Sequence, residues 1–350
     1  MPRNTRKIRV GDVFIGGGAP VSIQSMCTTK TENVRATVSQ ILKLEKVGCE
    51  IIRVAVPSMK AAKAIREIKK KIHIPIVADI HFDYRLALEA IKNGADKIRI
   101  NPGNIGGESR VVEILRTVKK AGIALRLGVN SGSLEQKLWS KYGRPSPEAL
   151  VESAVNWIKL FEKNKFYNFV ISLKSSDVPE TVRAYESLAA KCDYPFHLGV
   201  TEAGLPPYGA IKSAIGIGAL LLKGIGDTIR VSLTADPIEE IKVCKQILKS
   251  LHLYNKEPEV ISCPTCGRTE INLMKLAREV EKRLMKLGKP LKVAVMGCTV
   301  NGPGEAREAD YGIAGGKGQG AIFKKGKIIK WVPEGKLVEE LMGVIKKDNF

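Results

Sequence analysis

Short apolar runs rich in β-branched residues alternate with longer amphipathic segments through the first 255 residues. Each run spans six to eight residues, which is typical of strands buried in a sheet. The eight runs are VSIQSM (21–26), EIIRVAV (50–56), PIVADI (75–80), KIRINP (97–102), ALRLGV (124–129), FVISLK (169–174), HLGVTEA (197–203) and DTIRVSLT (227–234).

The segments between the runs have helical periodicity. Apolar residues recur at i, i+3, i+4 and i+7 in stretches such as 34–48, 58–72 and 109–122, and Gly follows the helical pattern in the first and third of these. Alternating strands and helices pair their strands in parallel. Eight such units in about 250 residues predict an α/β fold, a (β/α)8 TIM barrel over residues 1–255, and a doubly wound open sheet is the alternative.

The last hundred residues have a different pattern. After the linker-like YNKEPEV come a strand (EVIS), a helix at about 270–287, a second strand (LKVAVMG), Gly-punctuated hairpins and an amphipathic helix. This pattern predicts a small α+β domain over residues 256–350. The glycines at 315, 316, 318 and 320 lie between two strand patterns rather than before a helix, so they indicate hairpin turns and not a phosphate loop.

Polar side chains occur in and directly after the barrel strands, whose C-terminal ends carry the chemistry in this fold. Four strands contain an arginine, and a guanidinium in a barrel interior is costly unless it is paired. Asp79 and Glu202 are the obvious carboxylates nearby, so the pattern predicts that an anion, specifically a phosphate ester, binds at the mouth. Alternatively, individual arginines point outward between strand and helix. The candidates are Arg53, Asp79, His81, Arg99, Asn101, Arg126, Asn130, Lys174, Glu202, Arg230 and Ser232.

Composition narrows the choice of partner. The chain has 57 Lys and Arg against 36 Asp and Glu, a net charge of +21, with the largest excess in the first 150 residues. This excess indicates an anionic partner, but the chain has no basic tail and few aromatic residues, so nucleic acid is not favoured. No apolar run is long enough to span a membrane and no signal peptide is evident, so we expect a cytoplasmic protein.

Three of the seven cysteines have the spacing of metal ligands. Cys263 and Cys266 form a C-x-x-C motif, and Cys298 ends a neighbouring strand. No His follows His252 to close a zinc site, and three thiolates with a weak fourth ligand suit an iron–sulfur cluster. A TIM-barrel phosphate-ester enzyme with a structural zinc module and no redox chemistry, and a nucleic-acid-binding zinc ribbon, remain the alternatives. Three of the remaining cysteines are predicted to be buried as small hydrophobic residues, namely Cys49, Cys192 and Cys244. The sequence does not decide whether Cys27, just after the first strand, is structural or functional.

The chain resembles a known enzyme family. The segments CPTCGRTEINL and GCTVNGPGEA, together with VADIHF, IRINPGN, GVNSGSL, SLKSSD and HLGVTEAG, are similar to those of the 4-hydroxy-3-methylbut-2-enyl diphosphate synthases of the non-mevalonate isoprenoid pathway. The resemblance covers almost the whole chain. It implies a TIM barrel joined to a nitrite/sulfite reductase-like iron–sulfur domain, with a 4Fe-4S cluster held by Cys263, Cys266, Cys298 and Glu305.

The resemblance also implies a reaction. Family members reductively open the ring of 2-C-methyl-D-erythritol 2,4-cyclodiphosphate and release water, which yields (E)-4-hydroxy-3-methylbut-2-enyl diphosphate. We expect flavodoxin or ferredoxin as electron donor, and a homodimer in which each cluster domain covers the partner's barrel.

We assign roles to the candidates as hypotheses. Glu202 is the expected proton donor, although it and Asp79 could instead pair with the arginines, and His81 could simply cap its loop. Asp79, His81 and Asn130 orient the substrate. The groups expected to bind the diphosphate are Arg53, Arg99, Arg126 and Lys174, aided by Asn101, Arg230 and Ser232.

Overall fold

A computed structural model describes residues 2–298 and 306–349. The chain forms two compact units, Met1–Leu253 and Tyr254–Phe350, which are described separately below.

Eight parallel strands form the centre of the first unit. They are hydrogen-bonded in the order β8-β7-β6-β5-β4-β3-β10-β9, and a parallel bridge between Ile171 and Phe196 joins the two ends of the sheet, so the sheet closes into a barrel. Every predicted strand is confirmed, although the last two are only two residues long. The strands are β3 (Ser22–Met26), β4 (Ile51–Ala55), β5 (Ile76–Ile80), β6 (Lys97–Ile100), β7 (Ala124–Asn130), β8 (Phe169–Lys174), β9 (His197–Leu198) and β10 (Thr228–Ile229).

Helices follow the strands and pack on the outside of the barrel. Ser58 and Ser146 cap two of them through side-chain oxygens, and Gly122 ends another in the left-handed conformation with φ of 68°. The helices are α1 (Val34–Lys46), α2 (Met59–Lys69), α3 (Tyr84–Lys92), α4 (Glu108–Ala121), α5 (Gln136–Tyr142), α6 (Pro147–Lys163), α7 (Val178–Ala189), α8 (Tyr208–Leu222) and α9 (Pro237–Ser250).

A hairpin precedes the barrel and was not anticipated from the sequence. Its strands, β1 (Ile8–Val10) and β2 (Val13–Ile15), pair antiparallel across a turn at Gly11 and Asp12. Their apolar side chains pack against the first inward residues of four barrel strands. The N-terminal end of the barrel is therefore covered by an apolar layer. The residues of this layer are Ile8, Val10, Ile15, Ile51, Val77, Ala124 and Val170.

The second unit is a five-stranded mixed sheet with two helices. The order is β11-β12-β13-β14-β15; the first three strands run parallel and the last two pairs are antiparallel. The glycine-rich segment forms the β13–β14 hairpin, as predicted, with Gly318 at φ of 66° in its turn. The elements are β11 (Glu259–Ser262), α10 (Leu273–Leu287), β12 (Lys292–Met296), β13 (Tyr311–Gly316), β14 (Gln319–Lys324), β15 (Lys327–Pro333) and α11 (Leu337–Asn349). Across residues 2–298 and 306–349, no helix combines the length and apolar character needed to cross a bilayer.

Candidate active site

Asp79 is the centre of a charged network at the C-terminal end of the barrel. Asp79 is the next-to-last residue of β5 and is buried, with 3% of its surface exposed. Its Oδ2 accepts a hydrogen bond from Arg53 NH2 at 2.6 Å and lies 3.1 Å from His81 Nε2, and its Oδ1 accepts from Arg99 NH1 at 3.2 Å. Burial alone would raise the pKa of Asp79, but Arg53, His81 and Arg99 outweigh it and hold this pKa well below its usual value. Asp79 is therefore a carboxylate shared by two arginines.

Arg99 is held in place by its neighbours on three sides. Besides Asp79, its NH1 lies 3.0 Å from His81 Nε2, and its NH2 donates to Asn130 Oδ1 at 3.4 Å. The fourth side is Gly128 of β7, where an added Cβ would lie 2.8 Å from Arg99 Nε. Burial lowers the pKa of Arg99 to about 10, although Asp79 opposes the shift. The guanidinium position depends on the absence of a side chain at residue 128.

Arg126 and Lys174 are buried basic groups that make no ion pair with a carboxylate among the described residues. Arg126 is completely buried, and none of its three guanidinium nitrogens has a hydrogen-bond partner in the described part of the chain. Lys174, at the end of β8, is 7% exposed. Burial, followed by repulsion from neighbouring cations, lowers the pKa of each well below its usual value. Because a buried guanidinium without an acceptor costs free energy, this part of the barrel is suited to an incoming anion.

Arg230 has a partner that sequence reasoning missed. Its Nε lies 3.8 Å from Glu240 Oε2, and Glu240 also accepts from Ser25 Oγ and from the Leu233 backbone N–H. Burial lowers the pKa of Arg230 and raises that of Glu240, because an ion pair this long compensates only part of the desolvation. Glu240 is a buried residue in the first turn of α9. The feature of the sequence that could have indicated it is a second glutamate at the start of an amphipathic helix.

Glu202 lies apart from the arginines, so the alternative of a charge partner is not what the structure shows, and its role as proton donor stays a prediction. It lies four residues beyond the end of β9, its side chain is exposed, and no ion pair to it occurs within the described residues. The backbone at Glu202 has φ of 53°, a left-handed conformation that is uncommon outside glycine. Asn101 is buried and hydrogen-bonds Ser133, which the sequence did not single out, and Ser232 is half-buried past β10.

The barrel cysteines are mostly core residues. Cys49 and Cys244 are buried, as predicted, and so is Cys27. Burial raises the pKa of all three to about 12, which keeps them as thiols at neutral pH. Cys192 is only partly buried, because it follows the end of α7 near the surface, so the expectation of a fully buried residue is wrong there.

The other three cysteines lie in the second unit at one edge of its sheet. Cys263 follows β11 directly and Cys298 comes two residues after β12; these strands are adjacent and parallel. The backbone N–H of Gly297 donates to Cys263 Sγ at 3.2 Å, and Cys266 is exposed in the loop before α10. Backbone hydrogen bonding from Arg268 lowers the pKa of Cys266.

This donor set fits an iron–sulfur cluster, which takes thiolate ligands and is tuned by hydrogen bonds to sulfur. Within residues 2–298 and 306–349, no group of three or more ligating side chains is close enough together to hold a metal ion. The fourth expected ligand, Glu305, lies outside the described residues.

Comparisons with known proteins agree with the two-unit organisation. Residues 5–245 match a family model described as the GcpE TIM-barrel domain, and residues 259–347 match the GcpE protein C-terminal domain. A relative from Caldanaerobacter subterraneus subsp. tengcongensis is 60% identical over 347 residues, covering 99% of this chain and 98% of its own. One from Fusobacterium nucleatum is 58% identical over 348 residues, covering 99% and 98%. Both are named 4-hydroxy-3-methylbut-2-en-1-yl diphosphate synthase (flavodoxin).

Solved structures with a similar fold are distant in sequence. Dihydropteroate synthase from Yersinia pestis aligns with a TM-score of 0.51 at 10% identity, covering 70% of this chain and 98% of its own. The structure of the same enzyme in complex with a sulfonamide drug aligns with a TM-score of 0.52 at 8% sequence identity. This alignment covers 71% of this chain and 100% of the other. These likenesses concern the barrel fold alone. The family models and the two relatives, by contrast, match nearly the whole chain, and the chain belongs to the GcpE family.

Proposed function

We propose that this protein reductively opens the ring of 2-C-methyl-D-erythritol 2,4-cyclodiphosphate, releases water and forms (E)-4-hydroxy-3-methylbut-2-enyl diphosphate. The observation that carries the proposal is the surplus of buried cations at the barrel mouth, above all Arg126 with all its nitrogens unpartnered within the described residues. A cyclic diphosphate dianion supplies the oxygens that these groups need. The two relatives described above carry the name of this activity.

The diphosphate binds between the arginines of four strands. Arg126 and Lys174 take phosphate oxygens directly, because no carboxylate holds them among the described residues. Arg53 and Arg99 are already oriented by Asp79, so they meet the substrate at little entropic cost. The remaining groups of this site are Asn101, Arg230 and Ser232.

The chemistry needs electrons and a proton. One ring C–O bond to phosphate breaks, a neighbouring hydroxyl leaves as water, and a carbon–carbon double bond forms as two electrons enter. The leaving hydroxyl takes up a proton, and Glu202 is the group that donates it. Its exposed carboxyl at the mouth, held on a backbone of positive φ, suits a side chain that meets substrate rather than one that fills the core. Asp79, His81 and Asn130 orient the substrate through Arg99.

A 4Fe-4S cluster in the second unit would be held by Cys263, Cys266, Cys298 and Glu305. When bound, it supplies the electrons one at a time. The N–H of Gly297 that contacts Cys263 stabilises negative charge on that sulfur. Cys263 and Cys298 at the ends of two adjacent strands, with Cys266 in the loop before α10, would supply its thiolate ligands.

The electron donor is flavodoxin, the carrier that the names of both relatives specify. Such carriers are acidic, and α10 presents exposed basic residues toward solvent, among them Lys275, Arg278 and Lys282. The first residue of this helix, Leu273, packs beside Gly297, next to Cys298. Opposite charges near the point of electron entry raise the rate of encounter.

The active form is a homodimer in which each cluster domain covers the partner's barrel. The outer face of the barrel supports self-association, because α8 exposes large apolar side chains. Tyr208 is 79% exposed and Ile215 is 59% exposed. Together with Val178 and Val182 of α7 these residues line a groove of about 780 Å³. A groove lined mainly by exposed apolar side chains, with Arg183 and Lys212 among them, marks a protein interface more often than a solvated face.

The decisive experiment is turnover of the cyclodiphosphate by anaerobically reconstituted protein with reduced flavodoxin. Product formation, with about four iron atoms per chain, is expected for the wild type. A Cys298→Ser variant is expected to lose the cluster absorbance and turnover while its barrel unfolds at the same temperature. A protein that binds one zinc per chain and does not turn over the substrate would refute the proposal.

A further inference from the structure

Lys97 is a buried cation that the proposed reaction does not use. It begins β6 and lies on the same face of that strand as Arg99, about 6.6 Å deeper in the barrel, since two residues of a strand span that distance. Its surface is completely buried, and its Nζ has no hydrogen-bond partner in the part of the chain that the structure describes. A lysine is almost never fully buried unless it is paired.

The neighbours of Lys97 make its position more unusual. The charged and titratable groups that act on it are Arg53 on β4, Arg126 on β7 and His197 on β9, and none of them is an acid. Asp79, on the adjacent β5, is already bonded to Arg53, Arg99 and His81. Burial and the repulsion of Arg126 and Arg53 lower the pKa of Lys97 well below that of a free lysine. His197 is also fully buried, with both ring nitrogens unpartnered in the described chain.

We propose that Lys97 is a further cation of the phosphate site, neutral while the barrel is empty and protonated when the cyclic diphosphate dianion lies against Arg126. Substrate binding is then coupled to uptake of a proton by the barrel interior. This inference rests on the proposed function for its ligand. Burial and the repulsion from Arg126 and Arg53 together keep a proton away from Lys97, and a bound anion offsets that repulsion.

Lys97 is better placed for this role than the other groups nearby. Lys174 is the last residue of β8 and is still 7% exposed, so it belongs to the mouth of the barrel, where it contacts the anion directly. His197 has a much lower intrinsic affinity for protons than a lysine, and burial together with Arg126 and Lys174 lowers its pKa further. Lys97, by contrast, is fully enclosed and its Nζ has no partner among the described residues, so its protonation depends on the negative charge that enters the barrel.

The test is calorimetric binding of the cyclodiphosphate to the full-length, cluster-loaded protein without reductant, in buffers that differ in ionisation enthalpy. Each phosphorus of this ligand carries one ester oxygen and the bridging anhydride oxygen, which leaves a single strongly acidic oxygen, so the ligand itself does not titrate near neutral pH. We expect uptake of about one proton per site and, over the pH range between the free and bound pKa values, an affinity that falls about tenfold for each pH unit. Absence of uptake by the wild type would overturn the inference, whether or not any variant folds.

Variants locate the proton. Lys97→Met keeps the length of the side chain and is expected to lose the uptake, whereas Thr228→Val, which removes a buried unpartnered hydroxyl on β10, is expected to keep it. Lys97→Met should also raise the melting temperature at neutral pH, because a lysine with a lowered folded-state pKa destabilises the fold at every pH where the unfolded chain is protonated. Uptake that persists in Lys97→Met would overturn the assignment. Failure of every protein to bind the ligand would instead refute the proposed function, and with it this inference.

Discussion

Replacing Gly128 with alanine tests whether the position of Arg99 determines substrate affinity. The new Cβ would lie 2.8 Å from Arg99 Nε and 3.0 Å from NH2. An ordinary contact is about 3.5 Å, so the guanidinium has to retreat by about 0.7 Å. This displacement disturbs the hydrogen bonds of Arg99 to Asp79 at 3.2 Å and to Asn130 at 3.4 Å, which are already near the long end of the normal range.

The expected magnitude follows from the bond that the substrate loses. A hydrogen bond to a charged group contributes about 1.5–3 kcal/mol. If the displaced Arg99 no longer reaches the phosphate, binding of the cyclodiphosphate weakens about 10- to 150-fold. Stability should change less, because overpacking costs about 1–3 kcal/mol and alanine recovers about 0.4–1 kcal/mol by restricting the unfolded chain.

Calorimetric titration of the cyclodiphosphate against wild type, Gly128→Ala and Gly132→Ala measures this effect. Gly132 is a matched control, because it lies in the turn directly after β7 and an added Cβ there meets no atom within 4 Å. The control should bind like the wild type. Equal affinity of Gly128→Ala and Gly132→Ala, with both proteins folded, would show that Arg99 does not contact the substrate.

Three further outcomes follow from the structure. Asp79→Asn should destabilise the fold by about 3–5 kcal/mol at neutral pH, because it leaves Arg53 and Arg99 without their carboxylate. The pKa of Asp79 is lower in the folded than in the unfolded chain, so the contribution of its carboxylate to stability is present above about pH 4. This contribution is lost as the pH falls through the folded-state pKa. The free energies of unfolding of variant and wild type, measured by urea titration, should therefore converge in acid. Glu202→Gln should keep cyclodiphosphate affinity but lose most turnover with reduced dye, and full turnover would reject the proton-donor role. Ile215→Lys should convert dimer to monomer in sedimentation, and an unchanged dimer would place the interface elsewhere.

The barrel was predictable because its strands are buried on both faces and so form continuous apolar runs. The segments of residues 197–203 and 227–234 have the same pattern but form strands of only two residues, because the regular pairing between them ends at Leu198 and Ile229. The β1–β2 hairpin was missed because its strands are three residues long, which is too short for periodicity to distinguish them from a loop.

The site was predictable where a polar residue interrupts an apolar strand. Arg53, Arg99 and Asp79 share a network, as their places at adjacent strand ends indicated. The pairing of Arg230 with Glu240 was not predictable, because it joins a strand to a helix and depends on helix rotation. The sequence could not decide between proton donor and charge partner for Glu202, because it does not show where β9 ends.

The apolar layer at the N-terminal end of the barrel leaves the C-terminal end as the way into its interior. The hairpin side chains Ile8, Val10 and Ile15 seal the N-terminal end against Val77 and Val170. Any ion, proton or solvent molecule exchanging with Lys97 or Arg126 must then pass the opening by which substrate enters. A bound diphosphate therefore also blocks the route between the barrel interior and solvent. Its occupancy of the mouth determines how fast water and protons exchange between the interior and bulk solvent.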